Sequence, residues 1–553
     1  MIFSDEAIIR VVADAVDWGQ DLMQERVAVG RGGVSLFAAN ITALLANTLY
    51  YVLLTNRLGS TIEVGVVTSL SILIWFLVVI CVFAQPIVYV GSIPAPLAVL
   101  KFIPEFLAKN ERNGAFQVFK AALVSSTLLG VFVVGGLGFL PSIVIPYLGG
   151  QAVLPYFVQL SAIDILVISI GQVCLGSVIA LGDTNVGGLY IIVWSVVRFG
   201  LAAILLWYFG IAGVLVGWIC GDSVLLLLAI QRTLRSLSGQ TGVGGFSAKD
   251  WAHYSLYTLF AAIVGFVINQ ADRLITLSEQ GLSRLAIYNV AMAGASVASY
   301  APYALVTAFV PVVAALFAAN RIEELHDIIR SYTRYVSLSV MPVSFGLAAI
   351  MEVPLRIFGL DYLTGIMPAV IVSIATGLTS LGAVYAGALL ALGKLRLYTV
   401  ANVLGLVALL LVAWALTPFL GLNGPALGRA SLLIVVTIVY GLAAIKFGII
   451  EIDLKAYFAS IGGSSIMALV VFELISSIHS FFFKVAMLPV IVLVGMLVYI
   501  GTLRVFRLFT VNDIDFLHDL LPNRLHILLP MIARIIGLQY DVHSNGRRRT
   551  TFG

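Results

Sequence analysis

Residues 190–210 read YIIVWSVVRFGLAAILLWYFG, an unbroken apolar run with one charge, Arg198, near its centre. A helix of about 20 such residues spans roughly 30 Å of hydrocarbon. The run therefore reads as a membrane span, and its neighbours read the same way. Of 553 residues, 61% are hydrophobic and 10% charged, against about 25% charged in soluble proteins.

About fourteen such spans follow one another. They cover 34–54, 66–90, 115–140, 152–180, 189–209, 211–231, 251–276, 285–318, 331–352, 363–391, 397–419, 422–446, 458–478 and 484–506. The alternating, strand-length segments of a lipid-facing barrel are absent, so helices must satisfy the backbone in lipid. The expected fold is an all-α polytopic membrane protein.

Assigning the loops alternately collects Arg10, Arg26, Arg31, Lys101, Lys109, Arg112, Arg232, Arg235, Lys249, Arg321, Arg330, Lys394, Arg396 and Lys455 on the N-terminal side. Arg57, Arg273, Arg284, Arg356 and Lys484 fall on the other. The positive-inside rule then places both termini in the cytoplasm, with the protein in the cell membrane. The net charge of +4 reflects this bias and gives no reason to expect nucleic acid.

The chain repeats itself. IALGDTNVGG at 179–188 and YFGIAGVLVGW at 208–218 return as LALGKLRLYT at 390–399 and FLGLNGPALGR at 419–429. Gly182 and Gly393, Gly213 and Gly424, and Gly217 and Gly428 share one offset of 211 residues. FIP at 102–104 matches FVP at 309–311, and NRL at 56–58 matches DRL at 272–274. Two six-helix lobes are expected, 34–235 and 251–447, joined by a cytoplasmic linker at 236–250. An even helix number per unit makes the repeat parallel. The spans within 448–506 lack repeat partners. Residues 1–33 read as a cytoplasmic amphipathic segment, and 507–553 as an interfacial helix with a basic tail.

The sequence carries few signs of catalysis. Gly387 to Lys394 misses the phosphate-loop spacing and is followed by Leu395, and the six histidines form no HExxH. Cys81, Cys174 and Cys220 lie within predicted spans without metal spacing. Neither a metal nor a bound cofactor is expected, and the short outer loops disfavour an enzyme.

Charges inside the spans are the candidate site. An ionised group at the centre of a lipid-exposed helix costs at least about 2.5 kcal/mol. Arg198 should thus face protein or water, with Asp164 and Asp222 near the same depth. The positions 211 residues on are Ala375, Leu409 and Leu433. The three charges are therefore either a functional polar site or an ion-pair lock between helices. Arg429 lies in the outer part of the twelfth span, Asn269, Asp272 and Arg273 at the outer end of the seventh, and Arg57 at the end of the first. Arginines lining a cavity suit a phosphate-bearing anion, whereas Arg57 and Arg273 could instead snorkel to headgroups. Trp194, Trp207, Trp218, Trp251, Tyr300 and Tyr303 read as packing or interfacial residues, with stacking on sugar rings as the alternative.

TNRLGSTIEVG at 55–65, KFIPEFLAKNERNGA at 101–115, ADRLITLSEQG at 271–281, AIYNVAMAG at 286–294 and LRIFGLDY at 355–362 complete a pattern with the repeated glycine motifs. The pattern resembles the polysaccharide transporter, or Wzx-type lipid-linked oligosaccharide flippase, family of the multidrug/oligosaccharidyl-lipid/polysaccharide (MOP) exporter superfamily, from about residue 30 to 520. The resemblance implies alternating access by two lobes and a glycan on a polyprenyl phosphate or pyrophosphate carrier. It further implies a role in surface polysaccharide or glycoprotein assembly, with membrane lipids and glycan-assembly enzymes as partners. By similarity Arg198, Arg273 and Arg57, with Arg429 and Asn269, are substrate-binding candidates. Asp164, Asp222 and Asp272 are candidates for gating or for proton or sodium coupling. A multidrug cation antiporter of the same superfamily, or a membrane enzyme acting on lipid-linked glycans, are the alternative readings.

Overall fold

Gly210 and Gly421, 211 residues apart, hold the same unusual backbone conformation in this computed structural model, with φ 57° and ψ −135° at the first and φ 57° and ψ −132° at the second. A side chain is strained there, so each glycine turns one membrane helix into the next. The repeat read from sequence is thus written into the backbone. Gly182 and Gly393, the first pair of that offset, also share positive φ.

The structure describes residues 35–36, 38–39, 41–82, 87–90, 93–237, 247–318, 321–449, 451–506 and 508. The expectations for segments 1–33 and 509–553 and for most of the 236–250 linker lie outside these. In chain order the helices are α1 (41–58), α2 (Thr61–Cys81), α3 (Leu97–Ala108), α4 (Arg112–Phe139), α5 (Ile145–Leu148), α6 (Pro155–Ala180), α7 (Thr184–Leu237) and α8 (Ala248–Ala318). They continue with α9 (Ile322–Ile350), α10 (Glu352–Phe358), α11 (Ile366–Leu378), α12 (Leu381–Ala391), α13 (Leu395–Leu420), α14 (Asn423–Lys446), α15 (Leu454–Ser477) and α16 (Phe481–Val505). α7 and α8 are each broken in two, at Gly210 and Gly281.

Among the described residues, ten helices are long and apolar enough to cross a membrane. The protein is a multi-pass membrane protein whose described residues are almost wholly helical. Phe132, Phe139, Trp414 and Phe482 stand more than two-thirds exposed on its surface, as side chains that meet lipid should.

Two spans are interrupted where the sequence reads them as continuous. The second ends at Cys81, and Ile87–Val90 pairs antiparallel with Ile93–Pro96 as a short hairpin. The sequence PIVYVGSIPAP at 86–96 explains the stop: proline cannot continue a helix, and β-branched residues favour an extended chain. The tenth span is likewise divided at Thr379 and Ser380 into α11 and α12.

The chain clusters into two compact units, Met1–Gln270 with Gly281–Ala286, and Ala271–Gln280 with Ile287–Gly553. Within the first, the limbs of α7 run antiparallel at close range. A Cβ on Gly213, Gly217 or Gly221 would meet the backbone of Leu205, Ala202 or Arg198 within 2.1 to 2.4 Å. Glycine at every fourth position removes that obstacle and brings helix backbones together. Within the second unit, Gly424 and Gly428 pack on Thr417 and Ala413 in the same way. The last two spans fasten to α9. Arg334 of α9 donates to Asp453 at 2.7 Å and to the Leu508 carbonyl, and Tyr499 donates to the Leu338 carbonyl at 2.9 Å.

Candidate functional site

The close approach at Gly221 sets Arg198 beside Asp222 on the opposite limb of α7. The guanidinium donates to both Asp222 oxygens, and its other nitrogen lies 3.5 Å from Asp164 on α6. Arg198 is 3% exposed and both carboxylates are fully buried. Trp194, one helical turn before Arg198, donates its indole N–H to Asp222 at 2.5 Å.

Indole rings surround the cation. The guanidinium carbon lies 5.1 Å from the Trp218 ring, 5.6 Å from Trp194 and 6.0 Å from Trp75 on α2, within the range of cation–π attraction. Tyr50 of α1 packs against Trp218 and Phe199 from a further side. Arg198 is therefore enclosed by acidic and aromatic side chains. The arrangement holds α1, α2, α6 and both limbs of α7 around one charge cluster.

The second unit carries a different pair. Asp272 of α8, 1% exposed, accepts from Arg429 of α14 through Nη2 at 2.6 Å and Nε at 3.0 Å. Tyr288 donates to it at 2.9 Å, and the Arg273 backbone N–H at 3.0 Å. Asp272 is thus a saturated acceptor. The fork-on-carboxylate geometry is the strong form of this contact.

Of the remaining candidates, Arg273 stands beside Asp272, to which its backbone N–H donates. Arg57 is exposed and its guanidinium carbon stacks 4.9 Å over Trp207. Asn269 is exposed and donates to the Gly265 carbonyl at 2.8 Å within its own helix. Arg273 is half-buried.

Sequence reasoning found the three charges of the first cluster and treated Trp194 and Trp218 as packing. It missed Trp75, and it missed Gly221, although the spacing of Gly213, Gly217 and Gly221 signals close helix contact. The Asp272–Arg429 partnership had no such signal, because 157 residues separate the two.

No family model matches this sequence, and no curated protein matches it. Solved structures do. An inward-facing multidrug resistance MATE family transporter of the MOP superfamily superposes with a TM-score of 0.61 at 14% identity, covering 75% of this chain and 98% of that one. That likeness fixes the fold. The lipid II flippase MurJ in an inward closed conformation matches with a TM-score of 0.61 at 16% identity, over 86% of this chain and 98% of its own. A Vibrio cholerae MATE transporter matches with a TM-score of 0.56 at 14% identity, over 78% and 100%. The chain has the fold that these structures share.

Proposed function

We propose that this protein is a secondary transporter that moves a lipid-linked oligosaccharide, on a polyprenyl phosphate or pyrophosphate carrier, from the cytoplasmic to the outer leaflet by alternating access of two lobes. The observation that carries this reading is the reach of the likeness to the flippase, which takes in 86% of the chain, against 75% and 78% for the two MATE structures. The sequence motifs of the oligosaccharide flippases point the same way.

In this reading the protein sits in the cell membrane with both termini cytoplasmic, and hands its product to glycan-assembly enzymes outside. Arg57, which is exposed, supplies a cationic contact for the carrier phosphate, and half-buried Arg273 is a second cationic candidate. Asn269 offers an exposed amide for sugar hydroxyls. Arg429 reaches phosphate if its bond to Asp272 opens. Arg198 belongs with Asp164 and Asp222 to a centre for gating or for coupling to a proton or sodium gradient. Drawing its guanidinium out to a substrate would strand a buried carboxylate.

A multidrug cation antiporter is the second reading, favoured by the two buried carboxylates of the first unit and by the MATE likeness. Reconstitution into liposomes with a labelled polyprenyl-linked oligosaccharide separates them, scored by protection from an external glycosidase. Protein-dependent movement of chemically unchanged lipid is expected, and unchanged product also argues against an enzyme. Efflux of cationic dyes with no lipid movement would overturn the proposal.

A further inference from the structure

The tenth span is broken, and its counterpart in the first unit is not. The offset of 211 residues pairs SIGQVCLGSVIALG at 169–182 with SLGAVYAGALLALG at 380–393, yet α6 runs unbroken from Pro155 to Ala180 while the second copy divides at Thr379 and Ser380. At the break the backbone slips to a three-residue spacing. The N–H groups of Ser380, Gly382 and Ala383 donate to the carbonyls of Gly377, Thr379 and Ser380, at 3.2, 2.9 and 3.2 Å. In a continuous α-helix Gly382 and Ala383 would reach Leu378 and Thr379 instead.

The slip takes the α-helical donors away from the Leu378 and Thr379 carbonyls, and each finds a hydroxyl on another helix. Tyr457 of α15 donates to Leu378 at 2.7 Å, and Thr437 of α14 donates to Thr379 at 3.2 Å. Such side chains make irregular backbone tolerable at membrane depth. Gly382 admits Thr437, because a Cβ there would collide with its hydroxyl oxygen. Thr379 adds to the bend, its own hydroxyl donating back to the Ala375 carbonyl at 2.7 Å. The first unit has Ile168 and Leu226 where Thr379 and Thr437 stand, and α15 lies outside the repeat.

The two arms are gripped differently. α12 buries Leu381, Val384, Tyr385 and Leu389 in a core shared with α9 and α14. The buried side chains of α11 are none larger than valine, so they bury less apolar area and interlock less with their neighbours. Gly377 of α11 lies against Ser344 of α9. The hydroxyls of Ser344, Ser373 and Ser380 are buried and bond to nothing among the described residues, and stand ready to take up backbone carbonyls as the arm tilts. We propose that the tenth span is a hinge of the transport cycle. α11 swings about Thr379–Gly382 on a fixed α12, whereas α6, held to α7 through Asp164 and Arg198, moves as one rod. This rests on the reading of the protein as an alternating-access transporter and is independent of the substrate it carries.

Pulsed electron–electron distance measurements on spin-labelled protein in lipid nanodiscs, with no substrate present, test this directly. Labels replace Met367 and Leu390, near the two ends of the tenth span, or Tyr156 and Ile179, their equivalents in α6, with Cys81, Cys174 and Cys220 changed to alanine. The tenth-span pair should populate two distances and the α6 pair one. Thr437→Val with Tyr457→Phe removes both hydroxyl donors and should abolish the second distance, because the two carbonyls then regain donors only by closing the helix. Thr437→Ser, which keeps a hydroxyl, should retain both distances. A single distance of equal width in the two wild-type pairs would overturn the proposal, as would two distances unchanged in the double variant. Glycan movement in liposomes should be slower in the double variant than in wild type. If wild type moves no such lipid while the distances behave as expected, the substrate reading fails and the hinge stands.

Discussion

Arg198 shows how a single charge is tolerated inside a membrane protein. It is held by ionic, hydrogen-bonding and aromatic contacts together, so its removal should do more than subtract a bond. Arg198→Leu leaves Asp222 buried without its cation, and should cost about 3–5 kcal/mol of stability. The double variant Arg198→Leu with Asp222→Leu should recover much of that loss, because the equivalent positions 211 residues later are Leu409 and Leu433. Thermal unfolding of the purified variants ranks them; a double variant less stable than the single would contradict the pairing. The three charges were legible because ionisable groups stand out in an apolar run. Trp194 was not, since an indole in such a run packs equally well without a carboxylate to bind.

At the scale of the element, the turning glycines and the helix ends carry the testable content. Gly421→Ala forces a side chain into a backbone region that glycine alone adopts comfortably, at about 1–3 kcal/mol. The same is expected at Gly210, and a lowered unfolding temperature in both variants checks it. Asp453 caps α15, accepting from the Ala456 N–H at 2.9 Å while pairing with Arg334. Its partial burial works to raise its pKa, but the Ala456 N–H and Arg334 outweigh that and hold it below the ordinary 3.8. A depressed carboxyl stabilises fully above its unfolded value and loses that contribution as pH falls through its folded one. Acidification below about pH 4 should therefore speed hydrogen exchange in the first turn of α15. Asp453→Asn should blunt that response while keeping an acceptor for the cap.

For the whole molecule, the fold is the one shared with the MATE and MurJ structures, and the substrate is a question of chemistry. If Arg57 and Arg273 hold a phosphate, Arg57→Gln or Arg273→Gln should weaken apparent affinity for the lipid-linked glycan by about tenfold, the equivalent of one charge-assisted contact near 1.4 kcal/mol. Flipping rates against substrate concentration in liposomes give the answer. A change in maximal rate with affinity untouched would place these arginines outside the binding step.

Hydropathy by itself determined that the chain is a helical, multi-pass membrane protein, because lipid leaves the backbone no other way to bond over such long apolar runs. Glycines at a constant offset revealed the repeat, since a residue needed for a turn or a close contact must recur wherever that geometry recurs. Proline and β-branched residues after Cys81 carried the early helix stop, although the apolar run reads on through them. Only the tertiary structure decided which charges meet. Asp164, Arg198 and Asp222 lie on three helical limbs, and Asp272 and Arg429 on two distant helices. Their pairing depends on how those helices rotate and approach, which side-chain contacts across the packed interior fix and local sequence does not.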